Sequence, residues 1–301
     1  MTQQTDPHRP ATLSVRVWRG SGEGAYAVYD VPRRPSQTVL DVVTHIQRQI
    51  DPTLAYRYAC RVGMCGSCAM TVNGRARWTC RTHVEAVAAD DALTIGPLAH
   101  LPVIRDLVTD MREFFDKWAR AKGAFVPAAT HALTSSPSPM SAAGPSQGAN
   151  CTPSGGSPAA RAASVGAHTT GRGEKKSGAP APRIAMDDFV RIDPASKARR
   201  AADAAIECIG CGICYASCDV VAWNRAYLGP AALNRAWTLH NDPRDGARTE
   251  RLAAIAGDAG CHACHTHQSC TERCPKKLAP TASIAGLKRA VAQALVSGEL
   301  A

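Results

Sequence analysis

Residues 60–68 read Cys60-Arg61-Val62-Gly63-Met64-Cys65-Gly66-Ser67-Cys68, and Cys80 follows. Four residues separate the first pair of cysteines and two the second. With a fourth cysteine further along, that is the spacing in which thiolates hold a 2Fe–2S cluster. Gly63 and Gly66 let the backbone wrap closely and aim N–H groups at the sulfurs. Such hydrogen bonds stabilise the reduced, more negative cluster. A zinc knuckle is the competing reading, and a four-residue first gap containing glycine disfavours it.

The surrounding sequence predicts strands about one helix. Leu13, Val15 and Val17 alternate with Thr12, Ser14 and Arg16, the pattern of a half-buried strand. Residues 25–31 return as its hairpin partner across 20–24. A helix is predicted over 39–50, with Thr38 as N-cap and Asp41 three positions on. Val39, Val42, Val43 and Ile46 form its inner face, and Asp51-Pro52 ends it. Asn73-Gly74 between 70–72 and 76–78 is a two-residue hairpin signal. Residues 93–95 supply a last strand. Between Ile104 and Trp118, the apolar residues Leu107, Val108, Met111, Phe114 and Phe115 have helical spacing. Two hairpins and a crossing helix resemble the β-grasp fold of plant-type ferredoxins.

A second cysteine group runs Cys208-Ile-Gly-Cys211-Gly-Ile-Cys214-Tyr-Ala-Ser-Cys218. This is the run of bacterial ferredoxins, in which three cysteines hold one cubane and the fourth reaches a neighbouring cluster. Asp219 stands where that run usually has proline. The third group is Cys264, Cys270 and Cys274-Pro275, and on the same template His267 fills the second cysteine's slot. Exchange of fourth cysteines assigns Cys208, Cys211, Cys214 and Cys274 to a 4Fe–4S cluster. Cys264, Cys270 and Cys218 are left for a site of three thiolates, which suits 3Fe–4S. Two residues keep that count open: His267 as a ligand to a fourth iron, as imidazole is in Rieske centres, and Cys261 as a competitor.

The chain has 301 residues, thirteen cysteines, 45% hydrophobic and 5% aromatic residues, and a formal charge of +10. Residues 1–10 are polar and no apolar run reaches the roughly 18 residues of a membrane span. Cysteine-rich chains of reducing compartments bind metal, whereas those of secreted proteins form disulfides. The expectation is therefore a cytosolic metal protein. The basic balance suits an acidic partner or anionic lipid. Nucleic acid is excluded as a partner, because no basic run is interleaved with aromatics. Composition divides the chain at 11–120, 121–183 and 184–301. The middle segment is Ala, Ser, Pro and Gly with almost no large apolar residue, contains Cys151, and reads as a disordered linker. The last segment predicts helices near 195–207, 230–240, 246–256 and 280–297, with Pro230 and Pro280 in first turns. The fold class is α+β, a β-grasp domain followed by an all-α ferredoxin-like domain. No G-x-G-x-x-G follows a strand, so a flavin must belong to a partner.

Four stretches carry a resemblance to the iron–sulfur subunits of the succinate dehydrogenase and fumarate reductase family. They are Tyr58-Ala-Cys-Arg-Val-Gly-Met-Cys-Gly-Ser-Cys68, Leu101-Pro-Val-Ile-Arg-Asp-Leu-Val108, the run Cys208 to Cys218, and Cys270-Thr-Glu-Arg-Cys-Pro-Lys276. The resemblance implies that the first domain docks on a flavoprotein that carries FAD. It implies that the second lies beside membrane-anchor subunits on the cytoplasmic face of the inner membrane, peripheral to it. Electrons then run from flavin through 2Fe–2S, 4Fe–4S and 3Fe–4S to quinone. It also implies quinone contacts at Trp223, five residues after Cys218, and at His265, directly after Cys264. The second domain alone also resembles the electron-transfer subunits of other flavin-dependent dehydrogenases, which usually lack the group at 60–80. A soluble multi-cluster ferredoxin is a further alternative.

Overall fold

The computed structural model describes residues 12–128 and 193–300. The predicted linker from 129 to 183, and Cys151 within it, lie outside the described residues.

The alternating residues of the first strand do fold as β1 (Thr12–Ser21), which pairs antiparallel with β2 (Glu23–Pro32). The pairing continues to Ser21 opposite Glu23, so the turn is tighter than the five residues predicted, with only Gly22 between the strands. Helix α1 (Val39–His45) starts with the capping box read from sequence: the Thr38 hydroxyl accepts from Asp41 N, and the Asp41 carboxylate accepts from Thr38 N. It does not stay α-helical to residue 50. Ile46–Ile50 widen into a π-type turn, in which Asp51 N donates to Ile46 O at 2.7 Å. That turn delivers the Asp51 carboxylate to Arg19, Tyr29 and Thr53.

Strands β3 (Ala69–Val72) and β4 (Arg75–Trp78) form the Asn73-Gly74 hairpin. Asn73 (φ 48°) and Gly74 (φ 73°) are both left-handed, as the favoured two-residue turn requires. With β5 (Ala92–Gly96) the sheet order is β2-β1-β5-β3-β4, and β1 and β5 run parallel. One face of the sheet buries Leu13, Val15, Val17, Met70, Val72, Leu93 and Ile95 against Val39, Val42, Val43 and Ile46 of α1. This is the predicted β-grasp core.

The apolar spacing from 104 to 118 is not one helix. Strands β6 (Val103–Arg105) and β7 (Val108–Thr109) form a small hairpin, and α2 (Arg112–Arg120) begins only after it. The hairpin turns at Asp106 (φ 49°). Its buried carboxylate accepts from Gly20 N at 2.9 Å, Ala55 N at 2.8 Å and Arg19 Nε at 3.1 Å. A short turn placed two strands' apolar residues at spacings that imitate a helix.

The second half is helical, as predicted. Its elements are α3 (Lys197–Ile206), α4 (Ile213–Ala216), α5 (Asp219–Trp223), α6 (Pro230–His240), α7 (Arg248–Ala256), α8 (Ser269–Glu272) and α9 (Pro280–Val296). Helix α6 is central and packs on α3, α7 and α9. Its contact with α9 depends on Gly286, where a Cβ would stand 2.4 Å from the Trp237 ring.

Residues 121–128 belong to this packing rather than to a linker. Ala121 is fully buried, Val126 N donates to Asp245, and Gly246 N donates to Val126 O at 2.7 Å. Arg251 closes the joint. It is fully buried, binds both oxygens of the buried Asp245 carboxylate at 2.6 and 3.0 Å, and donates to Lys122 O and Ala124 O. A buried charge pair is tolerable only when its hydrogen-bonding capacity is used in this way. The small residues and proline of 121–128 hid this role from composition.

Candidate metal centres

The first four cysteines lie in the loop before β3 and in the tight turn just after β4. Arg61 (φ 58°), Gly63 (φ 74°) and Gly66 (φ 73°) curl the loop back on itself. Met64 N and Cys65 N donate to Cys60 Sγ at 3.2 and 3.3 Å, and Cys60 N donates to Cys65 Sγ at 3.4 Å. Backbone donors of this kind favour thiolate over thiol. The Ser67 hydroxyl, and then the Cys60 N–H, bring the Cys65 thiol down to about 6. Burial, and then Cys68, push Cys80 up to about 11. Thr79 ties β4 to the loop by donating from N and Oγ to Cys68 O at 3.2 and 2.8 Å, which sets Cys80 beside Cys68.

The second cavity is lined by Cys208, Cys211, Cys214 and Cys274, with Ile209, Ala231, Leu278 and Pro280 among its walls. Three of these thiols come from one run, and the fourth comes from the distant last group. Burial raises Cys208, pushes Cys211 up to about 12 and lifts Cys214 well above the ordinary thiol range. Burial makes these thiols hold their protons, so loading this cavity with metal must release protons.

The third cavity gathers Cys218, Cys264 and Cys270 with Asp219, Tyr227, His265 and His267. Its loop repeats the backbone of the second. Gly210 (φ 63°) and Gly212 (φ 77°) match Thr266 (φ 62°) and Gln268 (φ 65°), and a four-residue helix follows each pair, α4 and α8. A β-branched residue at positive φ is a genuine outlier. Thr266 therefore marks a wrap retained although His267 has replaced the second cysteine.

Does this cavity suit a cluster of three thiolates? The Tyr227 side chain is fully buried, and its hydroxyl approaches the Cys264 sulfur without closing a regular hydrogen bond to any described group. An orphaned buried donor facing three thiols fits an acceptor-rich cluster. Among the described residues, no group of three or more His, Cys, Asp or Glu side chains is arranged to hold a single metal ion. All twelve described cysteines are free, so no disulfide framework forms among them.

Of the two competitors for the third count, Cys261 lies away from the cavity and His267 is in its lining. Cys261 is fully buried in the apolar core with Leu252, Ile255 and Ile284, and does not line the cavity. His267 is exposed, its ring 5.9 Å from Trp223 and 6.2 Å from His265. Trp223 and His265 are themselves 6.3 Å apart, and Trp223 is 62% exposed. The two residues expected at the quinone are thus neighbours at the rim of the third cavity, with His267 as an unforeseen third ring. Tyr227 was also missed, because a lone tyrosine in sequence carries no ligand signal.

Residues 13–116 match the family of 2Fe-2S iron-sulfur cluster binding domains, and residues 204–278 match the 4Fe-4S dicluster domain. The chain is 30% identical over 259 residues to the succinate dehydrogenase iron-sulfur subunit of Paracoccus denitrificans, covering 86% of this chain and 78% of that one. It is 33% identical over 253 residues to the mitochondrial succinate dehydrogenase [ubiquinone] iron-sulfur subunit 1 of Oryza sativa subsp. japonica, covering 83% and 70%. The chain belongs to the succinate dehydrogenase and fumarate reductase iron–sulfur subunits. This subunit is also 28% identical over 258 residues to the fumarate reductase iron-sulfur subunit of Haemophilus influenzae, covering 86% and 83%. It superposes on a chain of the Mycobacterium smegmatis Sdh1 complex in the apo form with a TM-score of 0.68 and 26% identity, covering 94% and 96%. It is an α+β electron-transfer subunit with a 2Fe–2S domain and a 4Fe–4S dicluster domain.

Proposed function

We propose that this subunit relays electrons between a partner flavoprotein, which holds FAD and the succinate or fumarate site, and a membrane quinone. The observation that carries the reading is the crossing of cysteines: Cys274 faces Cys208, Cys211 and Cys214, while Cys218 faces Cys264 and Cys270. On this reading Cys60, Cys65, Cys68 and Cys80 hold 2Fe–2S. Four thiolates hold 4Fe–4S and three hold 3Fe–4S. When bound, the clusters supply one-electron transfer at graded potentials.

The chain's own residues do the positioning. Val62 and Met64, 56% and 61% exposed, give the first loop an apolar face for the flavoprotein. Arg61 and Tyr58 border that face, the guanidinium 5.1 Å from the ring centroid. At the other end, the Trp223 indole N–H donates to a quinone oxygen while its ring covers the headgroup. The neighbouring His265 imidazole offers a second polar contact. No helix of the described residues is long and apolar enough to cross a membrane. We assign the membrane contact to separate anchor subunits, with this subunit on the cytoplasmic face.

The test uses the complex isolated from native membranes with this chain. Succinate should drive reduction of both an artificial dye, taken up upstream of the quinone end, and a short-chain quinone. Trp223→Phe should slow quinone reduction and spare dye reduction. Equal loss of both, or absence of a flavin-bearing partner from the complex, contradicts the proposal.

A further inference from the structure

Strand β4 is an edge of the sheet and pairs only with β3. Beside it lies a cavity of about 280 Å³ to which both halves of the chain contribute. Arg75, Arg77 and Trp78 line it from β4, and Glu272, Arg273 and Pro275 line it from the end of α8 and the turn beyond.

The three arginines lack partners. Among the described residues, none of their side chains forms an ion pair or a hydrogen bond. Arg77 is half-buried, and its Nε is enclosed without an acceptor. Burial, and then the positive charges of Arg75 and Arg273, lower its pKa. Glu272 is exposed, so water screens its charge. Three guanidiniums against one carboxylate leave the cavity with a net charge of +2.

An enclosed donor without an acceptor is costly. Like charges brought together from two domains also oppose the packing of those domains. A water molecule would satisfy Nε and leave the repulsion in place, whereas an anion answers both. A guanidinium presents paired N–H donors in a rigid plane that matches the oxygens of a carboxylate or a phosphate. Three of them around one small space suit a group that carries several acceptor oxygens on one atom and two negative charges. The cavity is below the roughly 300–1,000 Å³ of sites for drug-sized ligands, which fits a phosphate group with little attached to it.

We propose that Arg75, Arg77 and Arg273 form an oxyanion site that takes a phosphate group, either the free ion or a small monoester. The bound anion ties β4 of the first domain to the turn after α8 in the second. No cysteine lines this cavity, so the site stands whether or not the electron relay does.

The experiment is a calorimetric titration of the intact complex, desalted into chloride buffer, with inorganic phosphate and separately with glycerol phosphate. Ionic strength is held constant with chloride. A single site per chain should saturate, and the thermal midpoint of the complex should rise as the site fills. Arg77→Gln and Arg273→Gln should each weaken binding about tenfold or more, the loss expected for a hydrogen bond between charged groups. Arg48→Gln, at an exposed position outside the cavity, should bind as wild type does. Saturation by inorganic phosphate alone assigns the free ion. Saturation by glycerol phosphate as well, or instead, assigns an ester. Absence of saturable binding by either probe overturns the proposal, as does equal affinity in wild type and Arg77→Gln. Should that variant fail to assemble, unchanged affinity in Arg75→Gln, at an exposed position, overturns it.

Discussion

A Cβ added at Gly66 would stand 2.5 Å from Cβ of Cys211. Gly66 lies between Cys65 and Cys68 of the first centre, and Cys211 lines the second cavity. The two cluster-bearing loops therefore meet backbone to side chain with no residue between them. Electron tunnelling weakens steeply with distance, and in the proposed relay this contact lies between the first centre and the second.

Replacing Gly66 with alanine should slow that step several-fold, read as the delay between reduction of the 2Fe–2S and 4Fe–4S signals in freeze-quench EPR. Gly74→Ala is the control. Gly74 has the same φ of 73°, but nothing lies within 4 Å of its added Cβ. Both variants carry about 1 kcal/mol of left-handed backbone strain; only Gly66→Ala forces the loops apart. Equal slowing in the two would contradict the contact account.

The crossed cysteines predict which centre each substitution removes. Cys218→Ser should abolish the oxidised 3Fe–4S signal and leave 4Fe–4S, although Cys218 belongs to the same run as Cys208, Cys211 and Cys214. Cys274→Ser should do the reverse. EPR and iron content decide this, and loss of 4Fe–4S in Cys218→Ser would refute the exchange.

Tyr227 offers a hydroxyl to the third centre. Tyr227→Phe removes the hydroxyl that would hydrogen-bond a bound cluster, a contact worth about 1 kcal/mol, and should lower the third-centre midpoint while leaving the other two. An unchanged midpoint would make Tyr227 a packing residue.

His240 predicts a pH effect. Burial, and then Arg248 and Arg251, lower its pKa to about 4, and its Nδ1 has no partner among the described groups. A histidine lowered in the folded state binds its proton more readily when unfolded. Its contribution is complete above the ordinary value of about 6.5 and is lost as pH falls toward 4. Urea unfolding of the complex at pH 7.5 and 5 should show lower stability at 5. His240→Gln should shrink that difference, and an identical pH difference in both proteins would reject the assignment.

Local chemistry made much of this legible before the fold was known. The Thr38–Asp41 capping box, the Asn73-Gly74 turn and the first-turn prolines act over a few residues, and each formed as read. Cysteine spacing likewise anticipated that Cys274 lines the cavity of Cys208, Cys211 and Cys214, and Cys218 that of Cys264 and Cys270, because the ferredoxin template encodes a tertiary relation in a short motif. What escaped depended on distant partners. The 104–118 spacing imitated a helix because Asp106 turns the chain there, held by Arg19, Gly20 and Ala55. Residues 121–128 looked like linker because their partners, Asp245 and Arg251, lie far along the chain. Lys117 looked like any lysine on an amphipathic helix, and only packing against Tyr215 buries it.

In the proposed relay, three centres are held by four, four and three thiolates. Low-temperature EPR of the anaerobically purified complex, air-oxidised and then reduced stepwise, with iron and zinc quantified on the same sample, decides this. The complex should show a 3Fe–4S signal when oxidised, 2Fe–2S and 4Fe–4S signals on reduction, and no stoichiometric zinc. Extra 4Fe–4S intensity in place of the oxidised signal, or zinc in place of iron, would contradict it.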